Sequence, residues 1–260
     1  MTLESQIHAP VRHQQILNAA RAGDGSVRIK DLALLLGVHE MTVRRDLDLL
    51  TEQGLLERTH GGARLAAQAP SELEYSRRVH QHPEAKARIA RAALALIEEG
   101  DTVGLDASTT DLALARLLHQ KAISAVVTGL DAANVLASSE VPFVLVGGHF
   151  HLPARSFTGG LFLSTLGKLR LDKVFFSCGA VSLGRGFTDH HLPEVESKEA
   201  LLASGRQLIA LVDHSKFGLE AFCQIVSLGG VHTLITDETP ALEWSERLES
   251  EGVRLVVAGV

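Results

Sequence analysis

A run of three hydroxyl side chains follows an aspartate in the segment DASTT at positions 106–110. The run lies between an apolar stretch, 102–105, that predicts a strand and an apolar stripe that predicts a helix, so it would form a helix N-terminus. Such a position binds anions, because its N–H groups are unpaired and the helix dipole is positive there. N-capping by Ser108 or Thr109 would need only one hydroxyl. Three hydroxyls favour a phosphate-binding loop.

Polar residues and glycines follow other predicted strands as well. Thr128 follows the strand at 123–127, a glycine pair follows 143–146, and a glycine-containing loop is predicted over 179–188. Lys216 follows the strand at 208–212, and Lys198 lies in the helix after the glycine-containing loop, although a lone helical lysine is more often at the surface. Ligands of parallel sheets bind at the carboxyl ends of the strands. The candidate binding residues are therefore Asp106, Ser108, Thr109, Thr110, Thr128, Gly147, Gly148, Lys198 and Lys216.

Contact with nucleic acid is predicted near the amino terminus, where two short amphipathic helices meet at Gly37. Their inward positions are Leu32, Leu35 and Leu36 in the first helix and Val43, Leu47 and Leu50 in the second. The opposite face of the second helix carries Thr42, Arg45, Asp46 and Leu49, with Arg44 beside it. Threonine and arginine there can bond phosphates or base edges, which is typical of a recognition helix in the major groove.

Two apolar runs, 55–58 and 63–65, bracket His60 and two glycines, Gly61 and Gly62, that can adopt positive φ. This pattern predicts a β-hairpin wing that lies along the DNA backbone. If the arginines were only a solvated helix face, the wing and its glycines would have no explanation. The predicted DNA-binding residues are Thr42, Arg44, Arg45, Arg58, His60 and Arg64.

The chain has 260 residues and a net charge of −6, which alone argues against a nucleic-acid partner. Residues 1–66 are neutral, with eight lysines and arginines against eight aspartates and glutamates, so the acidity belongs to the remainder. A neutral DNA-binding module makes few phosphate contacts and binds weakly as a monomer. We therefore expect paired half-sites on double-stranded DNA and a homodimer or homotetramer.

No segment has the length of a membrane span, and the amino terminus has no signal pattern, so we expect a cytoplasmic protein with no membrane partner. Cys178 and Cys223 lie far apart in apolar runs, which predicts buried thiols, no disulfide and no structural zinc. Histidine pairs at 80/82, 149/151 and 190/191 could bind a metal, but no cysteine or carboxylate spacing completes a site. Solvent-facing side chains are favoured for His80 and His82, whereas His149, His151, His190 and His191 stay open because their neighbours lie near the predicted pocket rim. We expect neither a metal nor a cofactor.

From residue 83 onward, helical stripes alternate with apolar strands at 102–105, 123–127, 143–146, 173–177, 208–212, 233–236 and 255–258. Continuous apolar strands separated by helices predict a mostly parallel sheet covered on both faces. The fold class is therefore α/β, with an N-terminal winged helix-turn-helix joined to a larger α/β domain. The predicted boundaries are 1–66 for the first domain, 67–82 for a linker or connecting helix, and 83–260 for the larger domain.

From about residue 11 to 237 the chain resembles the DeoR family of bacterial transcriptional regulators. The carriers are LGV at 36–38, TVRRDL at 42–47, RTHGGA at 58–63, DASTT at 106–110, GG at 147–148, DK at 172–173 and DHSKFG at 213–218. The resemblance implies a DNA-binding domain and an effector-sensing domain similar in fold to ribose-5-phosphate isomerase. It also implies that Asp106 holds sugar hydroxyls, residues 108–110 hold a phosphate, and Lys198 and Lys216 add polar contacts.

Two positions depart from the family pattern. Family members usually have serine at His39, where it would cap the recognition helix, and loss of a cap costs about 1 kcal/mol. Either Thr42 or the His39 side chain compensates, or the helix start frays without DNA. Family members often have asparagine at Gly129, so one hydrogen-bonding side chain is missing and the identity of the sugar stays open.

We expect a repressor of sugar-metabolism genes that responds to a phosphorylated sugar. The alternative is a sugar-phosphate isomerase fused to a DNA-binding module, with Asp106, Asp189, Glu194 or Glu196 as general base. A third hypothesis is an architectural dimer that binds no ligand. A DNA-binding domain accounts for a function of the chain without catalysis, so we expect that the chain is not an enzyme.

Overall fold

The computed structural model describes residues 9–22, 25–52, 56–65, 75 and 77–259. The chain divides into two compact units, residues 1–76 and 77–260. Of the linker predicted over 67–82, residues 67–74 and 76 lie outside the described residues, and 77–80 are helical. No helix within the described ranges combines the length and the apolar character needed to cross a membrane.

The first unit is a winged helix-turn-helix. In chain order its elements are α1 Ala9–Ala22, β1 Ser26–Arg28, α2 Ile29–Leu36, α3 Glu40–Glu52, β2 Leu56–Thr59 and β3 Gly62–Leu65. β2 and β3 form the antiparallel wing, and β1 pairs with the other side of β3. Apolar side chains from all three helices, among them Ile16, Leu32 and Leu47, pack into one core beneath this sheet. The predicted hairpin and helix pair are confirmed.

One predicted inward position in α2 is wrong. Leu35 is 66% exposed, whereas α2 buries Ile29, Leu32 and Leu36. Those three residues are spaced by three and four positions and form one stripe on the helix. Leu35 lies outside the stripe, so it faces away from the core.

Asp46, which the sequence predicts on the outer face of α3, is instead buried. It accepts hydrogen bonds from Arg12 Nη2 at 2.8 Å and from His13 Nε2 at 3.0 Å. Burial alone would raise the pKa of Asp46, but the bonds from Arg12 and His13 outweigh burial and lower it. The ion pair therefore ties α1 to α3, and Asp46 is a structural residue of the first unit.

The glycines of this unit serve two different purposes. Gly37 has a φ of 63° and ends α2 with its N–H bonded to the Ala33 carbonyl, as expected of a left-handed C-cap. Gly61 also has positive φ, as predicted, but Gly62 does not. A Cβ at position 62 would lie 2.0 Å from the Val27 carbonyl oxygen, so Gly62 allows β1 to approach the wing.

A parallel sheet of seven strands forms the centre of the second unit. The elements are α4 Pro83–Leu94, β4 Thr102–Leu105, α5 Thr109–Ala115, β5 Ser124–Val127, α6 Leu130–Leu136, β6 Phe143–Leu145, β7 His149–His151, β8 Ser156–Thr158, α7 Gly160–Leu166, β9 Leu171–Phe176, β10 Ala180–Ser182, β11 Gly186–Asp189, α8 Leu192–Ser204, β12 Gly205–Leu211, β13 Cys223–Val226, β14 Thr233–Thr236, α9 Leu242–Ser250 and β15 Arg254–Val257. The strand order is β15-β14-β12-β9-β4-β5-β6, and every pairing in it is parallel.

Helices cover both faces of this sheet, as predicted. Successive residues of β9 alternate between two apolar cores: Val174 and Phe176 belong to the core that includes residues of α7, α8 and α9, and Phe175 belongs to the core that includes residues of α4, α5 and α6. Cys178 and Cys223 are both buried free thiols, as the apolar runs around them predict. Burial raises the pKa of Cys178 to about 12, so this thiol stays protonated.

Two small antiparallel sheets were not predicted. β7 and β8 form a hairpin in which His151 pairs with Ser156. β10, β11 and β13 form a three-stranded sheet. The prediction of a loop over 179–188 is therefore wrong, because β10 and β11 form a β-hairpin there. Both sheets use strands of three or four residues, which are too short for a period-two pattern to stand out in the sequence.

Candidate ligand site and nucleic-acid interface

Asp106 and Lys198 form a buried ion pair at the carboxyl end of the sheet. Asp106 directly follows β4, and its backbone N–H donates to the Phe175 carbonyl at 3.1 Å, which fixes it at the sheet edge. Lys198, from α8, donates to the Asp106 carboxylate and to the Ser177 carbonyl at 3.0 Å, and Asp189 Oδ2 lies 3.7 Å away. Lys198 is only 7% exposed, so it is not a surface lysine.

Three carboxylates surround the Lys198 ammonium. Burial alone would lower the pKa of Lys198, but the charges of Asp106, Asp189 and Glu194 outweigh burial and raise it. Burial also raises the pKa of Asp106, and the positive charge of Lys198 opposes that rise. The pair therefore offers a fixed cation beside carboxylate oxygens, which are acceptors suited to the hydroxyl groups of a ligand.

Lys216 brings a second ammonium group to the same edge. It lies in a 3₁₀ turn, His214–Lys216, that begins three residues after the end of β12, and Asp213 caps this turn by accepting from the Ser215 N–H at 3.1 Å. Lys216 Nζ donates to Ser177 Oγ at 2.9 Å and lies 3.7 Å from Asp213 Oδ2. Ser177 therefore connects the two lysines, since its carbonyl binds one and its hydroxyl the other. We define the strand-end cluster as Asp106, Ser177, Asp189, Lys198, Asp213 and Lys216.

A third lysine, Lys86 of α4, was missed by the sequence analysis. It is buried, and its ammonium donates to the Arg78 carbonyl. Burial, with the nearby positive charge of Lys216, lowers the pKa of Lys86 to about 8. The signal was present in the helical spacing, because Lys86 stands three and four residues before the buried Ile89 and Ala90.

The hydroxyl run at 108–110 divides into a cap and two further hydroxyls. Ser108 Oγ accepts from the Asp111 N–H at 2.9 Å and so caps α5. The same hydroxyl donates to Asp111 Oδ2 at 2.5 Å, and burial, reinforced by the charge of Asp106, raises the pKa of Asp111 well above its usual value. Thr110 is fully buried, and its hydroxyl has no hydrogen-bond partner among the described residues. The half-exposed Thr109 takes no part in the cap.

Thr128 and Gly129 lie at the end of β5, beside the hydroxyl run. Thr128 is buried, and its hydroxyl donates to the Leu105 carbonyl at 3.2 Å. A Cβ at Gly129 would lie 3.0 Å from Cα and Cβ of Ala107. Glycine therefore allows residues 106–110 to lie against this turn, and a larger residue would press on the run.

The glycine pair after β6 has two different environments. A Cβ at Gly148 would lie 2.5 Å from the Thr158 carbonyl oxygen, so the backbone of β8 makes the close approach there. Gly147 has no neighbouring atom within 4 Å of such a Cβ in the described structure. Only Gly147 therefore leaves room for another molecule near the backbone.

The outer face of α3 presents Arg44 and Arg45, both exposed, with Thr42 half-buried beside them. Neither arginine forms an ion pair with a described residue. Of the three alternatives for the helix start, the His39 side chain is the one found: its Nδ1 accepts from the Met41 N–H at 3.2 Å. This bond satisfies one of the first N–H groups of α3, as an N-cap does.

The predicted wing residues are exposed, but both arginines are engaged within the unit. Arg58 donates to the Gly62 carbonyl at 3.1 Å and lies 3.2 Å from Asp48. Arg64 pairs with Glu57 at 2.6 Å, and His60 is exposed at the tip. Exposed pairs of this kind contribute little to stability, so DNA phosphates can replace the carboxylate partners.

The family model of the DeoR C terminal sensor domain matches residues 81–238, and that of the DeoR-like helix-turn-helix domain matches 12–69. A putative aga operon transcriptional repressor of Escherichia coli O157:H7 is 30% identical over 95% of this chain and 93% of its own length. The HTH-type transcriptional repressor GlcR of Bacillus subtilis strain 168 is 34% identical over 89% and 90%. A lactose phosphotransferase system repressor of Staphylococcus epidermidis is 32% identical over 87% of this chain and 91% of its own length.

Among solved structures, ribose 5-phosphate isomerase A of Methanocaldococcus jannaschii aligns over 53% of this chain and 55% of its own, with 18% identity and a TM-score of 0.40. The two family models together span both units, and the chain therefore belongs to the DeoR family of DNA-binding transcriptional regulators.

Proposed function

We propose that this chain represses genes of sugar utilisation, and that a phosphorylated sugar bound beside the strand-end cluster changes its affinity for DNA. Similar proteins are named as repressors of an aga operon and of a lactose phosphotransferase system, which supports a sugar-linked target. In this proposal the winged helix binds double-stranded operator DNA in the cytoplasm, and the α/β unit binds the effector.

The observation that carries the proposal is the convergence of Lys198 and Lys216 beside the hydroxyl run, with Lys86 near Lys216. Lys198 and Lys216 both donate to Ser177, and Lys86 interacts electrostatically with Lys216. The positive charges of Lys198 and Lys216 also oppose the rise in the pKa of Asp111. Ammonium groups together with the free N–H groups of a helix start suit a phosphate. The Asp106 carboxylate, in contact with Lys198, suits sugar hydroxyls.

We also propose that the chain is a sensor and not an isomerase. Two of the candidate general bases are already engaged: Asp106 accepts from Lys198, and Glu194 Oε1 accepts from Ser156 Oγ at 2.7 Å. Glu196 is exposed on α8. The regulator names of the relatives support the same conclusion.

Paired DNA-binding heads are part of the proposal. The first 66 residues have no net charge, so one head makes few phosphate contacts and two heads in one homodimer or homotetramer would supply the affinity. Sedimentation of the full chain, alone and with a two-half-site duplex, tests this point. A monomer that binds a single half-site as tightly as a pair would contradict it.

The test of the sensor uses the full chain, a panel of phosphorylated sugars, and the same sugars without phosphate. We expect one phosphorylated sugar to raise the melting temperature and to shift the binding of a duplex selected from random sequence, while its unphosphorylated form does neither. Turnover of the sugar in the same mixtures would establish the isomerase instead. Neither shift nor turnover across the panel would favour the architectural dimer.

A variant locates the effector. Thr109→Asp adds a carboxylate at the start of α5, where the helix tolerates negative charge but a phosphate would be repelled. We expect no response at sugar concentrations that saturate the unmodified chain, with unchanged DNA affinity in the absence of sugar. Thr165→Asp, at an exposed position of α7, is the matched control and should respond normally. Thr110 is unsuitable for this test, because it is fully buried.

A further inference from the structure

His151 and His191 stack face to face at one edge of the second unit. Their ring centroids are 4.1 Å apart and the ring planes differ by 5°. His151 ends β7, and His191 directly precedes α8. The Nδ1 atom of each ring is buried and has no hydrogen-bond partner among the described residues. Buried polar atoms in native proteins nearly always have a partner, and a bound ion is one explanation where none is found.

Glu194 completes a set of three ligands. His191 is the extended residue directly before α8, and the Glu194 N–H donates to its carbonyl at 3.0 Å, which brings the two residues together at the helix start. His151 Nδ1 is 3.5 Å from Glu194 Oε1, and all three side chains have ligand atoms within 4.8 Å of one another. The sequence marked both histidines as possible ligands but not this combination with Glu194, because His151 joins it from a hairpin that the sequence did not predict.

A second layer of contacts orients the carboxylate. Ser156 Oγ donates to Glu194 Oε1 at 2.7 Å, and Ser156 is itself buried. Ser156 is also the cross-strand partner of His151 in the β7–β8 hairpin. One cross-strand pair of the hairpin therefore supplies both a ligand, His151, and the group that orients another ligand, Glu194, and such supporting contacts are common around metal ions in proteins.

We propose that His151, His191 and Glu194 bind a divalent transition metal of the zinc class, which ties the β7–β8 hairpin to the start of α8. Two imidazoles and one carboxylate are a known three-residue zinc set, in which the fourth position stays open to water or another ligand. Zinc bonds of about 2.0–2.2 Å need ligand atoms roughly 3.4 Å apart. The two ring planes are parallel in the stack, so both rings must tilt toward a shared ion when it binds.

Another carboxylate–histidine group, formed by His214, Asp237 and Glu238, is a weaker candidate. Both oxygens of Asp237 are already engaged: Oδ1 accepts from the His214 N–H at 2.8 Å, and Oδ2 lies 3.1 Å from Arg88 and 2.9 Å from His214 Nδ1. A metal there would have to displace an arginine. The His151 group has no such competitor among the described residues.

The test uses the full chain without an affinity tag, stripped with a chelator and titrated with Co²⁺ while visible absorption is recorded. Zn²⁺ is then added to displace it. We expect one Co²⁺ per chain with the spectrum of a low-coordinate nitrogen and oxygen site. His151→Ala and His191→Ala should weaken binding at least about tenfold, and Ser156→Ala should weaken it by about tenfold or more.

His149→Ala and His190→Ala are the matched controls, because each removes an exposed histidine within two residues of a proposed ligand. Both should bind Co²⁺ like the unmodified chain. The proposal is overturned if the unmodified chain binds no ion at micromolar protein, or if all four histidine-to-alanine variants bind Co²⁺ equally. Because the titration contains neither DNA nor sugar, its failure would leave the proposed regulatory function unaffected.

Discussion

The outer face of α3 and the strand-end cluster hold positive charge in opposite ways. Arg44 and Arg45 are exposed and free of ion pairs with described residues, whereas Lys198 is buried and surrounded by carboxylates. Exposed arginines can exchange solvent and counterions for DNA phosphates. The buried lysine has already lost its solvent, so its position is fixed by the fold. Removal of an outer arginine should therefore affect binding alone, and removal of the buried lysine should affect folding too.

The largest effect is expected for Lys198→Met. The change leaves the Asp106 carboxylate buried without its partner, and loss of one member of a buried pair costs about 3–5 kcal/mol. Urea unfolding, monitored by tryptophan fluorescence, measures this loss in the free energy of unfolding. Trp244 is the single tryptophan of the chain and is buried in the second unit, so it reports that unit alone.

A second substitution sharpens this result. Lys198→Met combined with Asp106→Asn removes both charges, and most of the lost stability should return, although effector binding should not. If Lys198→Met alone unfolds at the same urea concentration as the unmodified chain, the ion pair of Lys198 does not stabilise the fold. That result would contradict the proposed difference between the buried lysine and the exposed arginines.

The next effect is expected for Arg45→Ala. A bidentate contact to a base is worth about 1–3 kcal/mol, and its loss should relax the preference for one sequence, whereas loss of a phosphate contact weakens all sequences alike. Binding of the selected duplex and of random duplexes measures both outcomes, and the unfolding curve of Trp244 should not change.

Arg64→Ala makes the comparison within the first unit. Arg64 already pairs with Glu57, so DNA gains less from it, and the variant should lose less affinity than Arg45→Ala. An equal loss would show that the wing contributes as much as α3. Unchanged affinity of Arg45→Ala for every duplex would show that the groove-facing side of α3 is assigned wrongly.

The same two regions differ in how far they follow from the sequence. The outer face of α3 depends on residues within one helix, whose spacing is visible in the chain, so Arg44 and Arg45 are found at the predicted exposed positions. Asp46 is the exception, because its partner Arg12 lies 34 residues away. A charged residue at helical spacing looks solvated unless its distant partner is known.

The strand-end cluster depends on contacts that no local pattern reveals. The parallel sheet was predictable, and with it the edge of the sheet at which Asp106 and Lys216 both lie. Asp106 and Lys198 are 92 positions apart in the chain. The sequence named Lys198 as a candidate ligand-binding residue, although a lone helical lysine is more often at the surface. Lys86 was missed although its spacing marked it as inward, because lysines are rarely buried.

A smaller effect is expected for His39→Ala, which removes the acceptor for the Met41 N–H. Loss of a cap costs about 1 kcal/mol, so amide hydrogen exchange at the start of α3 should be about fivefold less protected in the free protein. His39→Ser restores a side-chain oxygen and should restore protection. Equal exchange in all three proteins would mean that the imidazole contact does not support the helix.

The smallest effect concerns Lys86, whose pKa is lowered from its usual 10.5 to about 8. The unfolded chain keeps this proton above pH 8 while the folded chain loses it, so Lys86 makes stability rise with pH between about 8 and 10.5.

A bound phosphate would favour the charged ammonium and raise the pKa of Lys86 again, so Lys86 would take up a proton when the effector binds. Effector affinity should then be about twofold weaker at pH 8 than at a pH well below it, since half of the lysines are neutral there. Calorimetry in two buffers of different ionisation heat measures the uptake, which should vanish in Lys86→Met and in Lys86→Arg, while only the arginine variant keeps tight binding. Uptake that persists in Lys86→Met would place the phosphate away from α4 and restrict the ligand site to Lys198 and Lys216.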